Sequence, residues 1–365
     1  MDSAGHFYNV SEQVTATHRA LRWMGRLRYV IPRDCTAQNV CWKTFLPGRV
    51  KLPMRAMAHF PFLPGSDRCA ESQLLTRIRG AIGVEAGFSC CRVGAPGPWT
   101  KDTLLFLDKG ASTAQYVVKA GSGEAVDRLL HNEAKWLKHL RDESALADHI
   151  PQLIAHRSDN DLCFLAESIL SGDFVSRLGE PHIVFLRKLQ AHLCQRMRFD
   201  DSRFYQSLYA RLNDSGANFS EDWSSRFARG IRRLEQWFAG SQVLLVASHN
   251  DFTAWNVRVK DGVARVFDWE YADTEQFPIF DPLHFVLMPM ALSRRSATRM
   301  IESMRNTLEL CRGWFEAEFC CNAEAQALAY LMNICTLYLW SVRGASAIHP
   351  VLDRYAEMID YLCRT

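Results

Sequence analysis

Two alternating runs, Asn256-Val-Arg-Val259 and Ala264-Arg-Val-Phe267, flank Asp261-Gly262, and this pairing constrains the chain more than any other stretch. Asp-Gly between such runs predicts a two-residue hairpin turn, because glycine accepts positive φ without a steric penalty. With Asp261 and Gly262 as the loop, Lys260 faces Val263, Asn256 lies opposite Phe267, and Asp268 falls beside Asn256 at the open end. Facing residues sit about 4.5–5.5 Å apart. A carboxamide and a carboxylate at that separation suit one small hard cation. Mg²⁺ takes oxygen ligands at about 2.0–2.1 Å and completes its shell with water and phosphate. Asp251 stands on the loop entering the hairpin, where a carboxylate accepts a proton without occupying the metal. Ordinary turn and surface acids are the bland alternative. Against it stands the spacing His-x-Asp-x-x-x-x-Asn with a second Asp just past the hairpin, which is what phosphoryl transfer from a nucleotide requires.

A length of 365 residues exceeds one ordinary domain and predicts two lobes plus extra material. The net charge of +3 is too small to imply nucleic acid. No apolar run approaches the roughly 18 residues of a membrane span, and no signal-peptide core is evident, so the expectation is a soluble, cytoplasmic protein. Twelve cysteines include the adjacent pairs Cys90-Cys91 and Cys320-Cys321 but no Cys-x-x-Cys, which favours buried free thiols over bridges or zinc.

Residues 1–85 read as a basic, loop-rich extension. Arg19, Arg22 and Arg26 fit one face of a helix, with Trp23 and Trp42 interleaved among the basic residues. Such a stretch suits either a solvated accessory helix or peripheral contact with an anionic membrane or a glycan. Pro47, Pro53, Pro61 and Pro64 then break the chain repeatedly.

Residues 86–170 turn to strand patterns at 88–93, 103–107 and 115–120. The first turn, Gly94–Pro98, offers backbone N–H groups to phosphates through Gly94 and Gly97. It lacks the Gly-x-Gly-x-x-Gly spacing, and a plain hairpin turn is the competing reading. Lys119 ends the third strand, where an ammonium can point toward α- and β-phosphates. A helix over 124–140 follows, with Val126, Leu129, Leu130, Ala134, Leu137 and Leu140 at helical spacing. Residues 171–365 are mainly helical, with expected helices at 182–197, 222–240, 293–318, 323–342 and 350–363, and a short strand or helix end at 243–247.

His249-Asn-Asp251, Asn256 and Asp268-Trp-Glu-Tyr271 together resemble the catalytic core of the aminoglycoside phosphotransferase and choline kinase superfamily. The resemblance covers roughly 88–290. It implies an α+β, two-lobed, protein-kinase-like fold, with a small antiparallel-sheet N-lobe and hinge at 86–170 and a larger helical C-lobe at 171–365. It also implies ATP (or GTP) as phosphate donor and Mg²⁺ on Asn256 and Asp268. Asp251 becomes the catalytic base, Glu133 the counter-ion of Lys119, and Glu167-Ser-Ile169 the hinge whose backbone meets the nucleotide base. Asp281 resembles the acid that steadies the catalytic loop, and a helix cap at Asp281 is compatible with that. His249 reads as a structural residue rather than a base.

Asp268-Trp-Glu270 departs from the Asp-Phe-Gly of protein kinases, no Ala-Pro-Glu follows, and 271–280 is short. The acceptor implied is therefore a small molecule or saccharide: a sugar, an amino alcohol such as choline, or an aminoglycoside-like compound. A non-catalytic kinase-like module that binds a nucleotide or ligand is the rival from another class.

Overall fold

The computed structural model describes residues 8–10, 18–23, 26–45, 66–71, 73–84, 89–94, 99–110, 112–159, 162–214, 219–315, 322–341 and 351–364. The chain divides into two compact units, 1–142 with 151–170, and 143–150 with 171–365. Gly97, the prolines at 47–64 and Cys320-Cys321 lie outside the described residues.

The first unit is built on one antiparallel sheet. Its strands are β1 (Tyr8–Val10), β2 (His18–Trp23), β3 (Arg26–Pro32), β4 (Ser66–Glu71), β5 (Ser89–Arg92), β6 (Asp102–Leu107), β7 (Ala114–Gly121), β8 (Leu153–Asp159) and β9 (Leu162–Ser168). Their order is β1-β4-β2-β3-β5-β6-β7-β9-β8. Pairing runs straight across residue 85: Tyr29 faces Arg92 and Val30 faces Cys91. The segment expected as a loop-rich extension therefore supplies strands to the same sheet as the nucleotide-lobe pattern. Arg19, Arg22 and Arg26 do not share a helix face; they lie on β2 and β3, which pair with each other.

Both faces of this sheet are covered. Helices α1 (Cys35–Phe45) and α2 (Gln73–Ile82) pack into separate apolar clusters. Ala20, Val30, Cys91 and Leu104 join the cluster holding Leu75 and Ile78 of α2, and their neighbours Leu21, Ile31, Cys90 and Leu105 join the one holding Cys41 and Trp42 of α1. Successive side chains of a strand point to opposite faces. Cys90 and Cys91 are thereby sent to different cores as buried free thiols, and burial pushes the Cys90 thiol up. Helix α3 (Glu124–Asp142) packs an apolar face that carries one fully buried acid, Glu133.

The second unit holds α4 (Glu180–His192), β10 (Cys194–Arg198), α5 (Arg203–Leu212), α6 (Glu221–Phe238), β11 (Gln242–Ser248), β12 (Val257–Lys260), β13 (Val263–Val266), β14 (Asp273–Gln276), α7 (Phe280–Leu292), α8 (Ala297–Trp314), α9 (Ala323–Ser341) and α10 (Leu352–Leu362). The helix expected over 182–197 ends early. Residues from Cys194 to Arg198 pair instead with β11, Met197 opposite Val243, so a ladder of backbone hydrogen bonds replaces the last turns. Along α9 the consecutive residues Ala327, Leu328, Ala329, Tyr330, Leu331 and Met332 are all buried. A helix that is buried all round occupies the middle of its bundle, and α9 packs against α5, α6, α7, α8 and α10. No helix among the described residues is long and apolar enough to cross a membrane.

Candidate functional site

The hairpin forms in the register that Asp-Gly dictates. Lys260 faces Val263, Val257 faces Val266, and Phe267 N–H donates to the Asn256 carbonyl at 3.1 Å. Asp261 and Gly262 both have positive φ, 52° and 76°, the pair of values a type I′ turn needs. Two further residues of this stretch lie in the left-handed region: Asn250 at 63° and Asp268 at 73°. Asn and Asp are the side-chain-bearing residues that enter this region most readily. The chain thus bends sharply just before Asp251 and again at Asp268.

Polar contacts then fix the loop. Asp281 is buried on α7 and accepts from His249 N–H at 2.8 Å and Asn250 N–H at 3.0 Å. Burial holds its carboxyl above the usual carboxylate range, and those donors pull the other way. Its place inside the first turn of α7, with Ile279 at the cap position, makes it a loop anchor rather than a helix cap. His249 is fully buried. Its Nδ1 accepts from Asp251 N–H at 3.2 Å, so its Nε2 carries the proton and donates to the Phe267 carbonyl at 3.0 Å. One ring ties the loop of Asp251 to the strand end that presents Asp268.

Asn256 Nδ2 donates to Asp251 Oδ2 at 2.8 Å and to the Asp251 carbonyl at 3.0 Å. With both protons of the amide nitrogen directed at Asp251, the carboxamide oxygen is the atom left to face elsewhere. The register sets Asn256 opposite Phe267, so Asp268 follows one residue beyond the hairpin's open end. Two oxygen donors at the open end of a hairpin fit the preference of Mg²⁺ for hard ligands. The other oxygen of Asp251, Oδ1, lies 3.2 Å from His284 Nε2. Sequence reasoning passed over His284. Its offset of three from Asp281 places both on one face of α7, and that signal was available.

Residues of α4 and α7 form the floor beneath the loop. Phe252 stacks on Phe185 and lies against Phe285, while His182 meets both Phe252 and Phe285 edge-on. His182 Nδ1 accepts from Gly179 N–H at 3.3 Å, and among the described residues its Nε2 has no hydrogen-bond partner. Desolvation lowers its pKa to about 4. The unfolded chain takes up this proton near pH 6.5, so the stability tied to neutral His182 is complete above that pH and is lost as pH falls toward 4. The loss amounts to at most about 3 kcal/mol at 1.36 kcal/mol per unit. Denaturant melts from pH 7 to 4 should be less steep in pH for His182→Leu than for the wild type; equal slopes would remove His182 as the cause.

The connector entering this unit is also fastened to the hairpin. Asp173 and Val259 exchange backbone hydrogen bonds at 3.0 and 2.8 Å, and Arg258 reaches the Gly172 carbonyl at 3.2 Å. Asp173 thus extends the hairpin as a bridge, and the cap position of α4 is Gly179.

The remaining candidates lie in the first unit. Lys119 on β7 is buried, with its Nζ 2.5 Å from Glu133 Oε1 and 3.8 Å from Glu167 Oε1. Glu167, expected as hinge backbone, sits in the ladder opposite Val117 and directs its carboxylate at Lys119. Ser168 N–H is taken by the Gln152 carbonyl at 2.9 Å. Ile169 follows β9 and packs against the cluster of α1. At Gly94 the N–H offered to phosphate donates instead to Asp102 at 2.9 Å. A Cβ on Gly94 would collide with the Lys101 carbonyl, so this glycine permits close approach of two backbone segments.

The profile of APH, the phosphotransferase enzyme family, matches residues 93–297. No curated protein matches the chain. Solved structures that resemble it include a thermostable mutant of aminoglycoside phosphotransferase APH(4)-Ia in ternary complex with ADP and hygromycin B. That pair has 14% identity, a TM-score of 0.53, and coverage of 80% of this chain and 98% of the other. Another mutant of the same enzyme, with AMP-PNP and hygromycin B, has 13% identity, a TM-score of 0.54 and the same coverages. The fold is the α+β, kinase-like one of these neighbours.

Proposed function

The chain belongs to the phosphotransferase enzyme family, and from that premise we propose that it transfers the γ-phosphate of ATP (or GTP) to a hydroxyl of a small molecule or saccharide. One observation carries the reading. The Asp251 carboxylate is held on one oxygen by Asn256 and on the other by His284, on the loop that enters the hairpin. Each carboxylate oxygen keeps a second lone pair, so Asp251 retains capacity for an incoming O–H.

In this reading Asp251 orients the acceptor hydroxyl and takes its proton as the new O–P bond forms and the bond to the leaving nucleoside diphosphate breaks. Asn256 and Asp268 would hold Mg²⁺, which when bound supplies neutralisation of β- and γ-phosphate charge. Lys119, fixed by Glu133 and Glu167, holds phosphate oxygens. An ordinary aspartate is a weak base, so alignment and charge stabilisation carry much of the rate. The neighbours' complexes with ADP or AMP-PNP and hygromycin B support a nucleotide donor and a small-molecule acceptor.

Purified protein with Mg-ATP and a panel of sugars, amino alcohols and aminoglycoside-like compounds should add one phosphate to at least one acceptor, read by mass spectrometry. The engagement of Gly94 N–H by Asp102 favours the non-catalytic rival. Thermal stabilisation by Mg-ATP with no product from any acceptor and no ATP hydrolysis would select that rival.

A further inference from the structure

Asp251 does not end at its own side chain. His284 Nε2 lies 3.2 Å from Asp251 Oδ1, His284 Nδ1 lies 3.2 Å from Tyr330 Oη, and Tyr330 Oη lies 3.2 Å from Tyr355 Oη. His284, Tyr330 and Tyr355 are buried, on α7, α9 and α10. Tyr330 also meets both rings edge-on.

Chemistry orders this chain. An ionised carboxylate only accepts, so His284 Nε2 carries the proton that faces Asp251. In the neutral ring Nδ1 is then an acceptor and takes the Tyr330 O–H. Tyr330 oxygen in turn accepts from Tyr355. Desolvation pushes both phenols well up, which keeps them as neutral donors. Every link points the same way, toward the carboxylate, and buried chains of this kind reinforce each link.

We propose that His284 is a positioning residue for Asp251, its ring held in the Nε2–H tautomer by a Tyr355–Tyr330 chain that extends from the C-terminal helices. The inference rests on the phosphotransfer reading and deepens it: together Asn256 and His284 fix both carboxylate oxygens, so the remaining lone pairs have one direction in which to meet an acceptor hydroxyl. Of the motif residues Asn256 reaches Oδ2 alone; the hold on Oδ1 depends on α9 and α10, which lie outside the matched segment 93–297.

The test uses the full chain with Mg-ATP and whichever acceptor turns over. His284→Ala should lower kcat by roughly 10- to 100-fold, the range for removing a group that orients another. KM for Mg-ATP should stay within about twofold, since binding of the donor is untouched. His284→Gln should recover most of the loss, because its amide N–H reaches the place of Nε2–H. Tyr330→Phe and Tyr355→Phe should lower kcat by smaller factors, in that order, without moving KM. Nitrogen NMR of the imidazole should show Nε2–H in the wild type and loss of that single tautomer in Tyr330→Phe. If His284→Ala does not fold, His284→Gln and Tyr330→Phe decide. A kcat for His284→Ala near the wild-type value overturns the proposal. So does a folded His284→Gln no better than Ala, a Tyr330→Phe unchanged in kcat, or an Nδ1–H tautomer in the wild type. A wild type that neither phosphorylates an acceptor nor hydrolyses ATP sinks the phosphotransfer reading itself, and the inference falls with it.

Discussion

Asp251→Asn should lower kcat by roughly two to four orders of magnitude, the usual contribution of a positioned general base. The change is nearly isosteric, and the loop it sits on is anchored from elsewhere, by Asp281 through His249 and Asn250 and by His249 through Phe267. The loop should therefore hold its shape. What changes is chemical. An amide nitrogen does not accept a proton. It also places N–H groups against a donor whichever way it turns, because Asn256 Nδ2 faces one carboxylate oxygen and His284 Nε2 the other. Mg-ATP should still raise the melting temperature, since Asn256 and Asp268 keep their oxygens. Steady-state kinetics beside a thermal-shift titration separates the two effects. Turnover above about a tenth of wild type would leave Asp251 without the base role. Loss of the Mg-ATP shift would mean that the substitution had disturbed the end of the hairpin proposed to hold the metal.

The parts of the site that were legible are those whose causes are local. Asp261-Gly262 fixes the turn, the turn fixes the register, and the register sets Asn256 opposite Phe267. Each step spans a few residues. His249 as a loop-holder was legible for the same reason. The parts that were not legible have partners far away in sequence. Asp102 captures the N–H of Gly94 from eight positions further along the chain, and nothing in the sequence Gly94–Pro98 announces it. Glu167 was expected for its backbone alone; its side chain faces Lys119, on the adjacent strand. Arg19, Arg22 and Arg26 were read as one helix face from their spacing, and the strands there carry no contrary signal because both faces of the sheet are covered. Ala20 and Leu21 are both buried, as are Val30 and Ile31, so the alternation that marks a half-exposed strand is missing. Tyr330 and Tyr355 are core aromatics; only their hydroxyl groups, Tyr330 against His284 and Tyr355 against Tyr330, give them a second part to play.

Lys119→Met should be the most destabilising single change among the candidate residues. Lys119 is the cation between two buried carboxylates, Glu133 at 2.5 Å and Glu167 at 3.8 Å. Removing one partner of a buried pair typically costs about 3–5 kcal/mol, because the charge that stays behind is neither solvated nor compensated. For a unit of this size that is a fall in melting temperature of roughly 10 °C. Turnover should also drop, but an unstable protein is a poor witness to a lysine's role. A compensated variant resolves this. Lys119→Met combined with Glu133→Gln and Glu167→Gln removes all three charges while keeping their volumes, and replacing buried ion pairs by neutral groups is often close to neutral in stability. That variant should regain most of the lost melting temperature and yet stay at least about 100-fold below wild type in kcat, because the ammonium proposed to meet phosphate oxygens is gone. If activity returns with stability, the lysine is a counter-ion for its two glutamates and nothing more. If stability returns alone, the glutamates exist to hold the ammonium in one position, and the excess of acid around it is the means of doing so.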